Sequence, residues 1–530
     1  MKKRFTAAVA TLAVAAMCLS GCGGNGGVAT TTGSPVKLNG DDIYPVECSD
    51  ELTYWMSLNP TVSQHYTNFG ETPLAKELEK RTGIKVKYIH PVGNGVEQLQ
   101  ILMASDSLND IVENAWNDYP GGPQAAIDED MILDLTELID KYAPALKKCL
   151  SENPENDKLV KNDDGRYYAF PFMLEEGILQ FVYGPIVRRD WLEKINMDAP
   201  ETIDEWEAVL TAFKDECGAT VPYVGNMSNL LTVFSSGFNV WNDWYLDNGE
   251  VKYGPYTPEL KDLLAKLHDW YDKGLIDNDF AVRDGNDAKA YMLNGTSGAI
   301  VGYAGGTIGD CLTANNGEGE YDLIGIKYPA ASKGAVPEFS NCNSTVNMRL
   351  SVALSKNCIN PELAVRFLDY GYTEEGHNLY NFGIEGESYN WVDGYPKYTD
   401  LITNNPDGLD MSSAMGAYMR SGYNGIFMQD TRYIEQYYSL PQQKEAQKTW
   451  QITNMQDHLL PQLYIDTEYS DQDADIMTNV TTYTNEMIAK FITGDLPIEE
   501  FDNYLKQLKD FGIEDAIKFR QEAYDRYVSR

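Results

Sequence analysis

Aromatic rings and carboxylates are the side chains through which this chain could bind a ligand. The sequence holds 35 tyrosines and 9 tryptophans, and aromatic residues make up 12% of it. That share exceeds what a core of this size usually needs, so we expect some rings to line a cleft or a surface. A ring face packs against C–H groups and a carboxylate accepts hydrogen bonds from hydroxyls, so such a lining suits a small polar solute.

Sequence motifs of catalytic and metal centres are absent. The five histidines form no HExxH motif, the cysteines lack CxxC spacing, and no Walker, GxGxxG or GxSxG motif stands in the required context. Asp471, Asp473 and Asp475 have the opening spacing of a calcium loop, but Ile476 replaces the required glycine and Thr482 the required glutamate. We therefore expect a protein that is not an enzyme and holds no cofactor or metal.

Alternating strand and helix patterns supply the frame that must position these side chains. Strand patterns cover residues 52–56, 84–88 and 110–112, and helices are predicted over 73–83 and around 96–103. This βαβαβ order predicts an α/β fold with a parallel, doubly wound sheet. Ligands of such sheets sit at the carboxyl ends of the strands.

The same α/β pattern continues to about residue 375. Helices are predicted after the capping box of Thr202 and Glu205 and after the Thr257-Pro258 and Asn360-Pro361 pairs. Strands are predicted over residues 178–183, 219–224, 298–303, 323–327 and 346–354. From about residue 380, loops rich in Tyr, Gly and Asn precede further helices.

The N-terminus has the pattern of an export signal. Lys2, Lys3 and Arg4 precede an apolar stretch over 5–17 that is too short to span a bilayer. The following Leu-Ser-Gly-Cys22 resembles a bacterial lipobox, which predicts a signal peptide over 1–21 and lipidation of Cys22. An ordinary secretory signal that happens to carry a cysteine is the alternative.

Composition adds limits on location and partners. Gly-rich and Thr-rich residues over 22–45 predict a flexible tether, and no other apolar stretch is long enough to span a membrane. We therefore expect attachment by lipid alone at the extracellular face of the cell membrane. The formal charge of −38 repels nucleic acid and anionic lipid, so neither is expected as a partner. The cysteines from Cys48 to Cys358 leave disulfides and free thiols equally open.

Seven segments, in order along the chain, resemble the family 1 extracellular solute-binding proteins of ABC importers. More narrowly, they are similar to the large lipoprotein branch of Gram-positive bacteria, whose members mostly serve oligosaccharide uptake. The segments are 101–111 (ILMASDSLNDI), 134–142 (DLTELIDKY), 164–171 (DGRYYAFP), 189–192 (RDWL) with 200–204 (PETID), 360–362 (NPE), 383–386 (GIEG), and 491–494 (FITG) with 523–526 (AYDR).

This resemblance implies a two-lobed periplasmic-binding-protein-like fold of type II, with the ligand in a cleft between the lobes. The implied first lobe covers residues 46–174 and 341–380, and the second covers 175–340 and 381–530. The implied function is to bind an oligosaccharide, or another small polar ligand, and to deliver it to the permease subunits of an ABC importer. We expect a monomer. A peptide binder, a surface-anchored glycoside hydrolase, and a sensory or adhesive lipoprotein are the alternatives.

Strand ends indicate which aromatic residues would face such a cleft. Trp55 ends the first predicted strand, Trp116 follows the third, and Tyr303 ends the strand over 298–303. Trp241 and Trp244 lie in an irregular polar and aromatic stretch, and we expect one of them to contact ligand. A core position is the alternative for Trp55 and Trp116.

Three further candidates depend on the resemblance. Glu175 follows the implied first crossing between lobes, where a carboxylate could accept two sugar hydroxyls. Tyr389 follows the GIEG segment, and Tyr423 lies further along the same loop-rich region. A solvated loop position for Glu175, and a core or surface position for the two tyrosines, are the alternatives.

Overall fold

The computed structural model describes residues 33–40, 42–315, 319–420, 422 and 424–530 of the chain. The predicted signal peptide, the lipidation site Cys22, the tether up to residue 32 and Tyr423 lie outside the described residues. Within the described ranges, no helix combines the length and apolar character needed to cross a membrane. The six described cysteines, from Cys48 to Cys358, are free thiols.

Strands are numbered here in chain order. They are β1 (Lys37–Asn39), β2 (Asp42–Glu47), β3 (Glu51–Trp55), β4 (Lys85–Ile89), β5 (Ile111–Asn114), β6 (Phe170–Leu174), β7 (Tyr183–Arg188), β8 (Tyr223–Val224), β9 (Trp244–Asp247), β10 (Glu250–Tyr253), β11 (Ala299–Tyr303), β12 (Leu323–Gly325), β13 (Val346–Leu354), β14 (Tyr389–Val392), β15 (Tyr395–Tyr398) and β16 (Met428–Gln429).

Helices are numbered in the same way. They are α1 (Pro60–Ser63), α2 (Pro73–Thr82), α3 (Gly95–Ala104), α4 (Gly122–Asp128), α5 (Thr136–Tyr142), α6 (Pro144–Glu152), α7 (Pro154–Leu159), α8 (Arg189–Lys194), α9 (Ile203–Asp215), α10 (Met227–Phe234), α11 (Leu260–Asp272), α12 (Gly285–Leu293), α13 (Asp310–Ala314), α14 (Pro361–Asp369), α15 (Glu374–Phe382), α16 (Asp400–Thr403), α17 (Met411–Tyr418), α18 (Thr431–Tyr437), α19 (Pro441–Trp450), α20 (Ser470–Thr493), α21 (Phe501–Asp510) and α22 (Ile513–Ser529).

Shorter helical turns connect several of these elements. A π-helix covers Ala304–Gly309. Turns of 3-10 helix cover Phe69–Glu71, Trp116–Asp118, Ile178–Gln180, Ser235–Phe238, Gly254–Tyr256, Tyr370–Tyr372, Met455–His458 and Ile498–Glu500.

The first sheet has six strands in the order β16-β6-β13-β5-β3-β4. β3 pairs in parallel with both β4 and β5, so the βαβαβ arrangement predicted from the sequence is confirmed. β13 runs antiparallel between β5 and β6, and β16 closes one edge by pairing in parallel with β6. The carboxyl ends of β3, β5, β6 and β16 therefore open at one edge of the sheet.

A second sheet has four strands in the order β12-β7-β11-β8. β11 runs parallel to β8 and antiparallel to β7. Its helices carry a separate core in which Trp206, Phe234 and Trp270 contact one another through edge-to-face ring pairs. Trp206 and Trp191 both belong to this core and are buried.

Three segments connect the two sheets. The chain leaves the first sheet after β6, returns to it at β13, and leaves it again after β16. The last crossing is evident from α19, which packs against β12 and β7 of the second sheet. Residues 381–430, expected in the second lobe from the resemblance, include β16 and thus contribute a strand to the first sheet.

Local signals account for helix limits close to those predicted. Thr72 caps α2 by accepting a hydrogen bond from Ala75 N, and Pro73 takes the first helical position, where a missing N–H costs nothing. Gly83 ends the helix with a φ of 72°, and a Cβ there would lie 2.3 Å from Val46 O. Glycine at this position is therefore required by both conformation and space.

A buried ion pair joins the first sheet to the segment after α17. Arg420 Nη2 donates to Glu113 Oε2 at 2.6 Å, and both residues are buried. Asn424 Nδ2 and the Tyr54 hydroxyl also donate to the Glu113 carboxylate, at 2.8 and 3.0 Å. This satisfies most of the acceptor sites of a charge that would be costly to bury alone.

Candidate functional site

A cavity of about 240 Å³ opens where the carboxyl ends of the two sheets meet. Its walls come from the loop after β3, from β16, α17 and α18, and from the residues that follow β11. The lining consists of Asn59, Thr61, Tyr303, Gly305, Gly306, Ser412, Met415, Gly422, Gln429, Tyr433, Ile434, Tyr437 and Tyr438. Residues from both sheets thus face one space, at the edge where α/β folds bind ligands.

The polar wall after β3 is held in place by a helix cap. Asn59 Oδ1 accepts hydrogen bonds from the Thr61 backbone N–H at 2.9 Å and from the Thr61 hydroxyl at 2.8 Å. Pro60 occupies the first position of α1 and restricts the backbone to the helical φ. An amide and a hydroxyl are therefore presented to the cavity in a fixed geometry.

The opposite wall begins at the last residue of β11. The Tyr303 side chain is half exposed, and its ring packs edge to face on Tyr183 with centroids 4.7 Å apart. The Tyr183 hydroxyl accepts a hydrogen bond from Asn229 Nδ2 at 3.0 Å, which holds the supporting ring. The π-helix that follows brings Gly305 close to the Tyr438 ring, where a Cβ would lie 3.1 Å from Cε1. The exposed face of Tyr303 is thus supported from behind.

The aromatic wall of the cavity consists of Tyr433 and Tyr437 on α18 and of Tyr438, the next residue. The Tyr433 and Tyr437 rings are stacked, with centroids 6.2 Å apart and planes 23° apart. The Tyr437 and Tyr438 rings lie 5.6 Å apart at 38°. Burial raises the pKa of the Tyr437 hydroxyl, so it stays protonated and can donate a hydrogen bond at neutral pH. Ring faces and phenolic hydroxyls therefore occur side by side.

Gln429, the last residue of β16, brings an unused acceptor to the cavity. The residue is 2% exposed, and its Oε1 has no hydrogen-bond partner within the part of the chain that the structure describes. Leaving a buried amide oxygen unpaired costs about 1–3 kcal/mol. A ligand hydroxyl that donates to Oε1, once the side chain rotates to expose this buried atom, would recover this free energy.

Asp430 supports the aromatic wall from the side of the first sheet. It is 1% exposed and caps α18 by accepting the Arg432 backbone N–H at 2.7 Å. Its Oδ2 also lies 2.9 Å from His377 Nε2, and the Arg432 guanidinium donates to both carboxylate oxygens. Burial acts to raise the pKa of Asp430, but these hydrogen bonds outweigh it and hold the pKa well below its usual range.

Glu175 belongs to the same support. Its Oε2 accepts a hydrogen bond from the backbone N–H of Thr431, the first residue of α18, at 2.7 Å. Atoms of Glu175, His377 and Asp430 that could ligate a metal lie within 4.8 Å of one another, and histidine with carboxylates is a ligand set that zinc accepts. In this conformation Arg432 and the Thr431 N–H already bind the carboxylates, so the cluster acts as a hydrogen-bonded support of α18.

The structure places the predicted contacts in different surroundings. Tyr303 lies in the cavity, and Glu175 lies beside it as a support of α18. Trp55, Trp116 and Tyr389 lie in the core instead of at a surface, with at most 5% of each exposed. These three rings present no accessible face to a ligand in this conformation.

Each buried ring has a local reason for its position. Trp116 sits in a 3-10 turn that folds back on its own strand, so its indole N–H donates to Val112 O at 3.2 Å. Tyr389 packs against Phe382 at the end of α15, with ring centroids 5.8 Å apart. Trp55 is held between β4 and β5, the neighbours of β3 in the first sheet.

The predicted pair Trp241 and Trp244 lies outside the cavity lining. The half-buried Trp241 ring stacks on Phe339, with centroids 5.9 Å and planes 19° apart. The Trp244 ring lies under the Arg520 guanidinium of the C-terminal helix, 4.0 Å from its Cζ. Both rings already have aromatic or cationic partners within the protein.

Sequence reasoning missed most of the residues that line the cavity. Tyr433 and Tyr437 are four residues apart and follow an Asp that can cap a helix, so their shared face could have been predicted. No sequence signal places Asn59 and Gln429 in the same cavity, because they follow or end strands β3 and β16, which are far apart in sequence and come together only in the assembled first sheet.

The chain matches a family model and several known proteins. A family model described as bacterial extracellular solute-binding protein matches residues 69–378. The fructooligosaccharide ABC transporter substrate-binding protein FusA of Streptococcus pneumoniae is 22% identical and covers 99% of this chain and 98% of its own length. Lipoprotein LipO of Bacillus subtilis is 25% identical over 76% of each chain.

Solved structures agree in fold. The alginate-binding protein AlgQ2 superposes with a TM-score of 0.70 at 23% identity, covering 90% of this chain and 98% of AlgQ2. FusA in complex with kestose also superposes with a TM-score of 0.70, at 21% identity, over 91% of this chain and all of FusA. The predicted two-lobed periplasmic-binding-protein-like fold of type II is confirmed.

Replacing Asp430 with Asn tests its role as the support of α18. The unfolded chain binds a proton at this carboxyl near pH 3.9, whereas the folded protein does so only at lower pH. The stabilisation that the charged Asp430 carboxylate gives to the folded protein is therefore lost on acidification. We expect Asp430→Asn to lower the free energy of unfolding by about 1–3 kcal/mol at pH 7. The difference from the unmodified protein should shrink as the pH falls from 5 to 3, as followed by urea unfolding.

Asp475→Asn, on the exposed face of α20, is the matched control and should change stability little at either pH. A difference for Asp430→Asn that is constant between pH 7 and pH 3 would contradict the assigned role of its charge.

Proposed function

Because this chain belongs to the family of bacterial extracellular solute-binding proteins, we propose that it binds an oligosaccharide in the cavity between its two sheets and delivers it to an ABC importer. The observation that carries the proposal is the cavity lining, where tyrosine rings stand beside neutral hydroxyl and amide groups. Sugars present patches of C–H on their ring faces and hydroxyls around their edges, so this lining complements them in both respects.

Each wall has a distinct part in the proposed binding. The exposed face of Tyr303 and the rings on α18 pack against sugar C–H groups. Gln429 Oε1 accepts a hydrogen bond from a sugar hydroxyl, and Asn59 and Thr61 bind hydroxyls from the opposite side. FusA is a fructooligosaccharide-binding protein of an ABC transporter and matches this chain along almost its full length, which supports a saccharide ligand.

Ligand enclosure follows from the way the two sheets are joined. The proposed first lobe contains residues 46–174 and 341–380, together with 381–430 because β16 pairs with the first sheet. The second contains 175–340 and 431–530. Tyr303 and Asn59 come from different lobes, so a ligand that contacts both favours the closed arrangement over the open one. The closed form is the state that the permease subunits recognise.

Anchoring completes the proposal. Cys22 is lipidated before residues 1–21 are removed, and the monomer stays at the extracellular face of the cell membrane through that lipid alone. The relative LipO, which carries the word lipoprotein in its name, supports this location. A diacyl group is required because a single acyl chain binds a membrane only marginally.

Binding assays with ring variants test the saccharide site. A thermal-shift screen against an oligosaccharide panel should reveal a ligand, since binding to the folded state raises the melting temperature. Tyr303→Ala and Tyr437→Ala should each weaken that ligand roughly tenfold or more, equivalent to about 1.4 kcal/mol, by calorimetry. Tyr256→Ala, a half-buried ring that contacts Glu514 away from the cavity, should leave the affinity unchanged.

Two results would count against the proposal. Equal affinities for the Tyr303→Ala, Tyr437→Ala and Tyr256→Ala variants would remove the cavity as the binding site. New reducing ends after incubation of the protein with its ligand would indicate a glycoside hydrolase instead of a binding protein.

Gln429→Met separates ligand binding from stability. Methionine has a similar shape but no amide oxygen, so the variant removes a buried unpaired acceptor from the free protein. We expect unchanged or higher stability in urea together with roughly tenfold weaker saccharide binding. A loss of affinity that accompanies an equal loss of stability would show that Gln429 acts on folding only.

Cys22→Ala tests the anchor. The variant should be released into the medium of the producing cells, whereas the unmodified protein stays in the membrane fraction, as measured by immunoblotting of both fractions. Retention of Cys22→Ala in the membrane fraction would contradict lipid attachment at this residue.

A further inference from the structure

Every described side chain that lines the cavity is uncharged. Its polar groups are the amides of Asn59 and Gln429 and the hydroxyls of Thr61, Ser412 and the tyrosines. Among the described residues of the lining there is no Asp, Glu, Lys, Arg or His. A ligand in this cavity therefore meets hydrogen-bonding groups but no countercharge.

The charged groups close to the cavity already bind partners within the protein. Arg420 lines a small neighbouring pocket that shares Asn59 with the cavity, but its guanidinium donates to the buried Glu113 carboxylate at 2.6 Å. Arg432, on α18, is bound to the buried Asp430. Each guanidinium keeps further N–H donors, but its charge is already offset by a buried carboxylate, so an anionic ligand would gain little net electrostatic attraction from either one.

Arg349 differs from these two arginines because its side chain is exposed to solvent. It lies on the irregular part of β13, where the register with β6 shifts between Asn347 and Val352. Its side chain is not part of the cavity lining. A contact there is screened by water and salt and is therefore worth little compared with a desolvated ion pair.

The net charge of the whole protein also disfavours the binding of anions. The chain carries 80 acidic and 42 basic residues, a formal net charge of −38. A field of this sign lowers the local concentration of anions at the surface and slows their association. A carboxylate is therefore repelled as it approaches the protein, and its entry into the cavity removes its hydration without providing a countercharge.

We infer that this cavity takes uncharged sugar units and discriminates against sugars that carry a carboxylate, such as uronates. The inference rests on the proposed saccharide function and specifies the chemical class of its ligand. It distinguishes the two kinds of sugar bound by similar proteins, since FusA binds fructooligosaccharides, which are neutral, and AlgQ2 binds alginate, a polyuronate.

Calorimetry with matched trisaccharides tests the inference on the purified full-length protein. One set contains neutral fructose, mannose, xylose and glucose trimers, and the other contains mannuronate, guluronate and galacturonate trimers. At least one neutral trimer should bind, and every uronate should bind at least about 100-fold more weakly, as expected for a carboxylate that is desolvated without a partner. The affinity for the neutral trimer should change less than about twofold between low and high salt.

A charge-insertion variant provides a second measurement. Thr61→Lys places a cation in the cavity lining, whereas Ser63→Lys places the same charge on an exposed position of the same helix, outside the lining. We expect Thr61→Lys to raise uronate affinity at least about tenfold, whereas Ser63→Lys should change it less than about twofold.

The outcomes distinguish the inference from the function on which it rests. Binding of a uronate within tenfold of the best neutral trimer overturns the inference and leaves the saccharide function intact. Equal effects of Thr61→Lys and Ser63→Lys on uronate affinity also overturn it, because the uronate carboxylate would then not lie in the cavity. Failure of both sets to bind overturns the saccharide function itself.

Discussion

The buried carboxylate of Asp430 is the interaction on which the rest of the site depends. It lies at the point where the chain leaves the edge strand of the first sheet and enters the helix that carries the cavity tyrosines. It combines a helix cap, contacts with His377 and Arg432, and a neighbouring bond from Thr431 to Glu175. One buried charge with several donors therefore fixes both the start and the direction of α18.

Charge is distributed in this protein so that the surface and the cavity have opposite characters. The large acidic excess faces solvent, where it favours solubility, and the cavity keeps only neutral donors and acceptors. Two ion pairs near the cavity, Arg420 with Glu113 and Arg432 with Asp430, hold the backbone of the walls. In each pair the opposite charges offset one another. Rigid walls with neutral polar groups suit a ligand that is recognised by shape and hydroxyl pattern.

Regular elements were predictable because their signals are local. The cap at Thr72, Pro73 and the stop at Gly83 set α2, and apolar alternation set the three parallel strands around β3. The candidate site was predictable only in part. Tyr303 was found from its position at a strand end, whereas the same rule chose Trp55 and Trp116, whose rings turn into the core. A strand end predicts proximity to the cleft edge, but it does not predict which way the side chain points.

The sequence by itself determined the α/β class, the first βαβαβ order, the starts of several capped helices and the resemblance to solute-binding proteins, since each depends on residues that are near one another in the chain. The strand predicted over 178–183 was wrong in its first half, where the structure has a 3-10 turn over Ile178–Gln180. Only the tertiary structure decided that Asn59, Tyr303, Gln429 and Tyr437 share one cavity and that Glu175 supports a helix. These residues are far apart in sequence and belong to two sheets. Their proximity arises from the packing of the sheets and the crossing segments, which no local pattern encodes.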